Sequence, residues 1–172
     1  MLTTDQKGAI AEMGIAWHAT QLGVDVYKPV SAGGRYDLIF DFNARLWRVQ
    51  CKWAAITNDV LHVRCYSSRR AREGMRKRPY TADEIDALAA YCAELDRCYF
   101  LPIEHFPRRV EICLRLAPSR NKQRQLINWA EDFEFAATLA QPQGAVAQLG
   151  ERMPGRHEVT GSSPVGSTLF LR

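Results

Sequence analysis

Apolar residues recur every three or four positions near the N-terminus and then alternate along several short runs, so a helix followed by strands is the expected opening. Thr4 or Asp5 can cap a helix over residues 6–22, with Gly23 ending it. Ile10, Met13 and Trp17 form its predicted buried stripe, flanked by Ala9, Ala16 and Thr20, and Glu12 sits beside that stripe. VDVYKPV, DLIFDF, LWRVQCKWA and VLHVRCY read as four strands, with Asn43 and Ala44 as the turn between the second and third. Thr81 and Glu84 make a capping box for a helix whose buried face is Ile85, Leu88, Ala89 and Cys92. CYFLPI and RVEICLRL read as further strands, and INWAEDFEFAATL as a closing helix. The expected class is α/β: an N-terminal helix, a mixed sheet started by an antiparallel meander, and flanking helices.

The chain has 172 residues, 47% of them hydrophobic, which suits one domain over residues 1–140. Residues 141–172 carry Gly, Pro and Ser without either period and are expected to be a disordered tail. Their strings AVAQLGER and GSSP resemble a reading frame run through a transfer-RNA gene, since a T-arm such as GGTTCGAGTCC encodes GSSP. Genomic read-through and an ordinary low-complexity linker are the two explanations. No apolar run is long enough to cross a bilayer, and MLTTDQKGAI lacks a signal-peptide layout, so a cytoplasmic protein without a membrane partner is expected. The five cysteines include no CxxC pair; reduced core thiols are expected in preference to disulfides or a metal site.

Net charge is only +4, but its distribution is uneven. Arg69, Arg70, Arg72, Arg76, Lys77 and Arg78 crowd one segment against Glu73 alone, and Arg120 and Lys122 lie in a second basic run. Both segments read as loops suited to a polyanion, the first as a phosphate-contacting loop between a strand and a helix. About five phosphate contacts would give a log–log salt slope of ~−4 to −5. A solvated basic loop is the alternative in each case.

The stretch GRYDLIFDFNARLWRVQCK holds the candidate chemistry. Side chains two apart on a strand share a face, so Gln50 and Lys52 project together while Val49 and Cys51 turn away. Asp37, at the start of the preceding strand, can meet them at one end of the hairpin. Phosphodiester hydrolysis needs a polarised phosphoryl oxygen, a deprotonated water and relief of developing charge, and Mg²⁺ with a nearby lysine supplies these. Asp37 is the main expected ligand, with the Gln50 side-chain carbonyl, the Cys51 backbone carbonyl and Glu12 as further oxygens. Mn²⁺ would substitute. Taken alone, this pattern also fits a solvated strand face with an incidental lysine, and Glu12 a surface helix residue.

The order Glu12, Asp37, Gln50, Lys52 resembles the PD-(D/E)xK nuclease superfamily, and within it the group I intron-associated homing endonucleases that carry glutamine before x-K. QKGAIAEMGIAWHATQLG, GRYDLIFDF, RVQCKWA, RPYTADEIDALAAYCAELDRCYFLPIE and LRLAPSRNKQRQLINWAEDFEF carry the likeness, over about residues 4–135. By position the resemblance places the family's helix acid on Glu12, its strand aspartate on Asp37, its glutamine on Gln50 and its lysine on Lys52. It implies a restriction-endonuclease-like core and a metal-dependent, sequence-specific endonuclease making double-strand breaks in DNA. The best-known members lie in introns within transfer-RNA genes, whereas this tail looks like a nearly whole one, which suggests an adjacent gene in a mobile element.

Cutting two antiparallel strands requires two sites, so a homodimer or homotetramer is expected. The face near Leu88 and the aromatics Trp129, Phe133 and Phe135 are candidate interfaces, with core packing as the alternative for the aromatics. Two other activities stay open on the sequence: a Holliday junction resolvase, and a DNA-binding protein whose nuclease site no longer works.

Overall fold

The computed structural model describes residues 1–31, 33–118 and 126–140, with the backbone but not the side chains of residues 69–71. Arg120, Lys122 and the whole expected tail lie outside the described residues, as do the side chains of Arg69 and Arg70. Helix α1 spans Thr4–Gln21, and Thr3, one residue earlier than expected, caps it through a reciprocal box with Gln6. Strands β1 (Asp25–Tyr27), β2 (Leu38–Phe42), β3 (Arg45–Trp53), β4 (Ala55–Thr57), β5 (Val60–Arg64), β6 (Tyr66–Ala71) and β7 (Gly74–Pro79) follow. Then come β8 (Ala87–Cys92), β9 (Arg97–Pro102), β10 (Glu111–Arg115), a 3₁₀ turn at Ala130–Phe133 and the short helix α2 (Phe135–Thr138). No helix among the described residues is long and apolar enough to cross a membrane.

A five-stranded sheet in the order β1-β2-β3-β8-β9 forms the centre. Only the β3–β8 pair is parallel, so the sheet is mixed and begins with the expected antiparallel meander. Asn43 and Ala44, both with φ above 50°, make the tight turn that sets the β2–β3 register at Phe42 opposite Arg45. A second sheet, β10-β5-β4, and a separate β6–β7 ribbon complete the strands.

Two cores follow from strand alternation. Ala87 and Ala89 of β8 join Phe40, Val49 and Phe100 beneath the Ala11, Ile15 and Ala19 stripe of α1. Leu88, Ala90 and Cys92 face the other way, onto Leu61, Val63, Ile112 and Leu114 of the second sheet. The α1 stripe therefore consists of smaller residues than expected: Met13 and Trp17 remain exposed. Small side chains let the helix approach closely, and a Cβ at Gly14 would come within 3.1 Å of the Tyr91 ring.

The helix predicted after Thr81 is not formed. Glu84 and Ile85 amides close a single turn on the Thr81 carbonyl, 3.0 and 3.1 Å away, and the chain then extends into β8. A strand buried on both faces is continuously apolar, and Ile85, Leu88, Ala89 and Cys92 matched the helical period only by coincidence. Asp86 fixes the parallel register, accepting from the Arg48 backbone amide at 2.7 Å and from Arg48 Nε at 3.0 Å. The predicted closing helix is likewise reduced to the 3₁₀ turn and α2. Phe135 is a core residue and Phe133 packs against the core, so the packing alternative holds for these two aromatics. Leu88, expected on an interface face, is instead fully buried in the core because β8 is covered on both sides.

Candidate nuclease site

Asp37 lies one residue before β2, where its amide donates to the Val49 carbonyl at 2.9 Å. That bond places its carboxylate beside the end of β3. Asp37 Oδ2 accepts from the Cys51 amide at 2.9 Å and from Gln50 Nε2, which also donates to the Cys51 carbonyl at 3.3 Å. Gln50 is the one polar side chain in the buried set among the described residues, 8% exposed. Burial raises the pKa of Asp37, against the opposing effect of the Cys51 amide.

The strand alternation expected at Gln50 and Lys52 is present: Val49 and Cys51 belong to the core beneath α1. Lys52 Nζ donates to the Tyr80 hydroxyl at 2.9 Å and stands 3.5 Å from the Tyr66 carbonyl. Burial lowers the Lys52 pKa, partly offset by the Asp37 charge. Burial also pushes the Tyr80 phenol up to about 12, so it stays protonated beside the amine.

Glu12 reaches the same cleft as Asp37, about 260 Å³ and lined also by Lys28, Gly34 and Tyr36. Its Oε2 accepts from Lys28 Nζ at 2.8 Å and makes no hydrogen bond to Asp37 or Gln50. The sequence had not singled out Lys28, Tyr80 or Arg35, and Glu84 had entered only as part of a capping box. Arg35 lies 4.3 Å from the Tyr80 ring centroid and donates to Ser67 Oγ at 2.7 Å, the Pro79 carbonyl at 2.9 Å and Glu84 Oε2 at 2.8 Å. The arginine thus ties the base of the β6–β7 ribbon to the segment leading into β8. An aromatic ending a run of basic residues was the available signal for Tyr80.

The basic segment expected as a loop is the β6–β7 ribbon, with Ser67 opposite Arg78 and Ser68 opposite Lys77. All of β7 is exposed. Arg76 pairs with Glu73 at 2.9 Å, Arg78 with Glu84, and Lys77 lies 4.9 Å from the Tyr66 ring centroid; Arg72 is exposed near the turn. The cysteines follow expectation in Cys51, Cys65, Cys92 and Cys98, which are buried; Cys113 is exposed.

The donor set fits a hard, oxygen-seeking cation. Asp37 is a desolvated carboxylate with no ion pair among the described residues, and its Oδ1 accepts no hydrogen bond there. The Cys51 carbonyl adjoins it, and the Gln50 amide, turned over about its terminal torsion, presents an oxygen in place of nitrogen.

Residues 2–136 match the family described as PD-(D/E)XK endonuclease. Among solved structures, the bacterial homing endonuclease I-Ssp6803I is 27% identical, with a TM-score of 0.66 over 86% of this chain and 99% of that one. No curated protein matches the chain.

Proposed function

Because the chain belongs to the PD-(D/E)XK endonuclease family, we propose that it is a Mg²⁺-dependent, homing-type enzyme cutting both strands of a specific DNA site. The observation that carries this is the desolvated Asp37 carboxylate joined to Gln50 and the Cys51 backbone, with Lys52 two residues along the same strand face. Asp37, the Cys51 carbonyl and the Gln50 amide would hold the ion, with Glu12 of the same cleft as a second carboxylate. Such an ion, or Mn²⁺, supplies Lewis-acid polarisation and lowers the pKa of water at neutral pH.

The remaining work falls to the protein. Asp37 must be ionised, and its raised pKa means the active fraction grows as pH rises through that value. The Lys52 ammonium offers three donors. Tyr80 takes one and the more distant Tyr66 carbonyl weakly engages a second, leaving one for a phosphate oxygen as negative charge develops. Tyr80 is a positioning residue, fixing the amine at the end of β3.

A two-stranded ribbon is an element that fits the major groove. In the proposed complex the β6–β7 ribbon lies on DNA, Arg72, Arg76, Lys77 and Arg78 contacting phosphates or base edges. A homodimer or homotetramer in the cytoplasm would bring the two sites a double-strand break needs. The test is cleavage of a duplex library in Mg²⁺, compared with four-way junctions. Linear duplex should be the better substrate, and Asp37→Ala and Lys52→Ala should bind DNA without cutting it. Cutting by either variant at a rate near that of the parent chain would remove the site, and preferential cutting of junctions would make the enzyme a resolvase.

A further inference from the structure

A second cluster of donors stands on the outer sheet, sharing no residue with the Asp37 centre. Leu61, Val63, Ile112 and Leu114 point into the core, so alternation turns His62 of β5 and Glu111 and Cys113 of β10 to the other face. Cys113 is directly opposite His62 in the antiparallel register, and Glu111 stands two residues before Cys113 on the same side. His62 Nδ1 lies 3.6 Å from Cys113 Sγ and 3.6 Å from Glu111 Oε1. Donor atoms from all three residues lie within 4.8 Å of one another.

Those separations decide what the cluster suits. A tetrahedral Zn²⁺ with Zn–N near ~2.0 Å and Zn–S near ~2.3 Å holds its nitrogen and sulfur donors ~3.5 Å apart. The observed 3.6 Å is close to that value before any ion draws the ligands inward. An imidazole and a thiolate select a borderline-soft ion such as Zn²⁺, whereas Mg²⁺ takes oxygen ligands in an octahedron. On β4 the residue opposite His62 is Ala55, whose methyl leaves room beside the imidazole. His62 is half-buried, Glu111 and Cys113 are exposed, and His62 and Glu111 line the same cleft of about 810 Å³ as Lys52 and Tyr80.

We propose that His62 Nδ1, a Glu111 carboxylate oxygen and the Cys113 thiolate form a Zn²⁺ site whose fourth position is open to solvent and takes water. Binding releases the Cys113 thiol proton to solvent and changes no oxidation state. Four of the five cysteines are buried in the cores, so Cys113 is the accessible thiol for this chemistry.

The experiment uses the full chain, reduced and stripped of metal with a chelator, and titrated with Co²⁺ as the spectroscopic probe. One equivalent should produce a thiolate-to-cobalt charge-transfer band with the strong d–d absorption of four-coordination. One equivalent of Zn²⁺ should abolish it, and millimolar Mg²⁺ should leave it. Cys113→Ser should lose the charge-transfer band, and Cys113→Ser and His62→Ala should each weaken Zn²⁺ binding by more than the ~10–100-fold that loss of an outer-shell partner costs. Circular dichroism should show both variants folded, since neither side chain belongs to a core. Zn²⁺ should raise the melting temperature of the parent chain and not that of Cys113→Ser. Absence of the band in the parent chain, or its persistence in folded Cys113→Ser, would overturn the site.

Discussion

The Asp37–Gln50–Lys52 centre and the β6–β7 ribbon, the two parts given to DNA in the proposed function, handle charge in opposite ways. At the centre, charge is withdrawn from water: burial raises the Asp37 pKa and lowers that of Lys52, so each group is less comfortable ionised than it would be in solvent. On the ribbon, Arg72, Arg76, Lys77 and Arg78 stay exposed, and the ion pairs of Arg76 and Arg78 are with acids a few residues away in sequence. Desolvated groups act at short range with fixed geometry, whereas exposed cations act through a field that salt screens. In the proposed function this difference would separate chemistry from adhesion within one small fold.

Substitutions at the two places should therefore fail in different measurements. Asp37→Ala or Lys52→Ala is expected to lower the cleavage rate by roughly 10²–10³-fold or more while DNA affinity stays within a few-fold, as followed by gel-resolved cleavage and by anisotropy. Replacing Arg76, Lys77 and Arg78 together by alanine should do the reverse. Affinity at low salt should fall by at least tenfold, and the log–log salt slope should become shallower by about 2–3, with cleavage recovering at high protein concentration. A ribbon variant that bound normally but did not cut would erase the distinction.

Smaller effects sharpen it at the centre alone. Gln50→Glu sets a second carboxylate against Asp37, and like charges raise one another's pKa. The rising limb of the pH–rate profile should move to higher pH in that variant, a shift that stopped-flow cleavage across a buffer series would measure. Asp37→Asn should melt at a higher temperature than the parent chain near neutral pH in metal-free buffer, as a thermal scan would show. Its sign follows from linkage: folded Asp37 holds its proton more tightly than in the unfolded chain, so its contribution is present below the ordinary carboxylate value and lost as pH rises through the raised one. The Asn variant should lack that loss.

The sequence exposed the centre more fully than the architecture around it. Asp37, Gln50 and Lys52 sit on a hairpin whose two-residue period and turn at Asn43 and Ala44 are local signals, so their convergence was readable before any fold was known. Glu12 was readable as a neighbour of Asp37, but its bond to Lys28 was not, because that lysine lies in an irregular segment. β8 escaped recognition since a strand covered on both faces has no alternation to display. The stripe of α1 was missed for a related reason: close approach at Gly14 favours Ala11, Ile15 and Ala19, and pattern reading prefers large side chains such as Met13 and Trp17. The ribbon looked like a loop because its side chains are charged, although strand pairing is a property of the backbone. Long-range tethers such as Arg35 to Glu84 leave no periodic trace at all.

The uncharged amide of Gln50 has an effect on the protein before any ion arrives. With glutamine instead of a second acid next to Asp37, that part-buried pair holds one negative charge, and the neighbouring Lys52 supplies a positive one. In the proposed enzyme the Asp37–Gln50 pair would then assemble without a cation between its two members, and the protein would rest on DNA in that idle form until magnesium is drawn in.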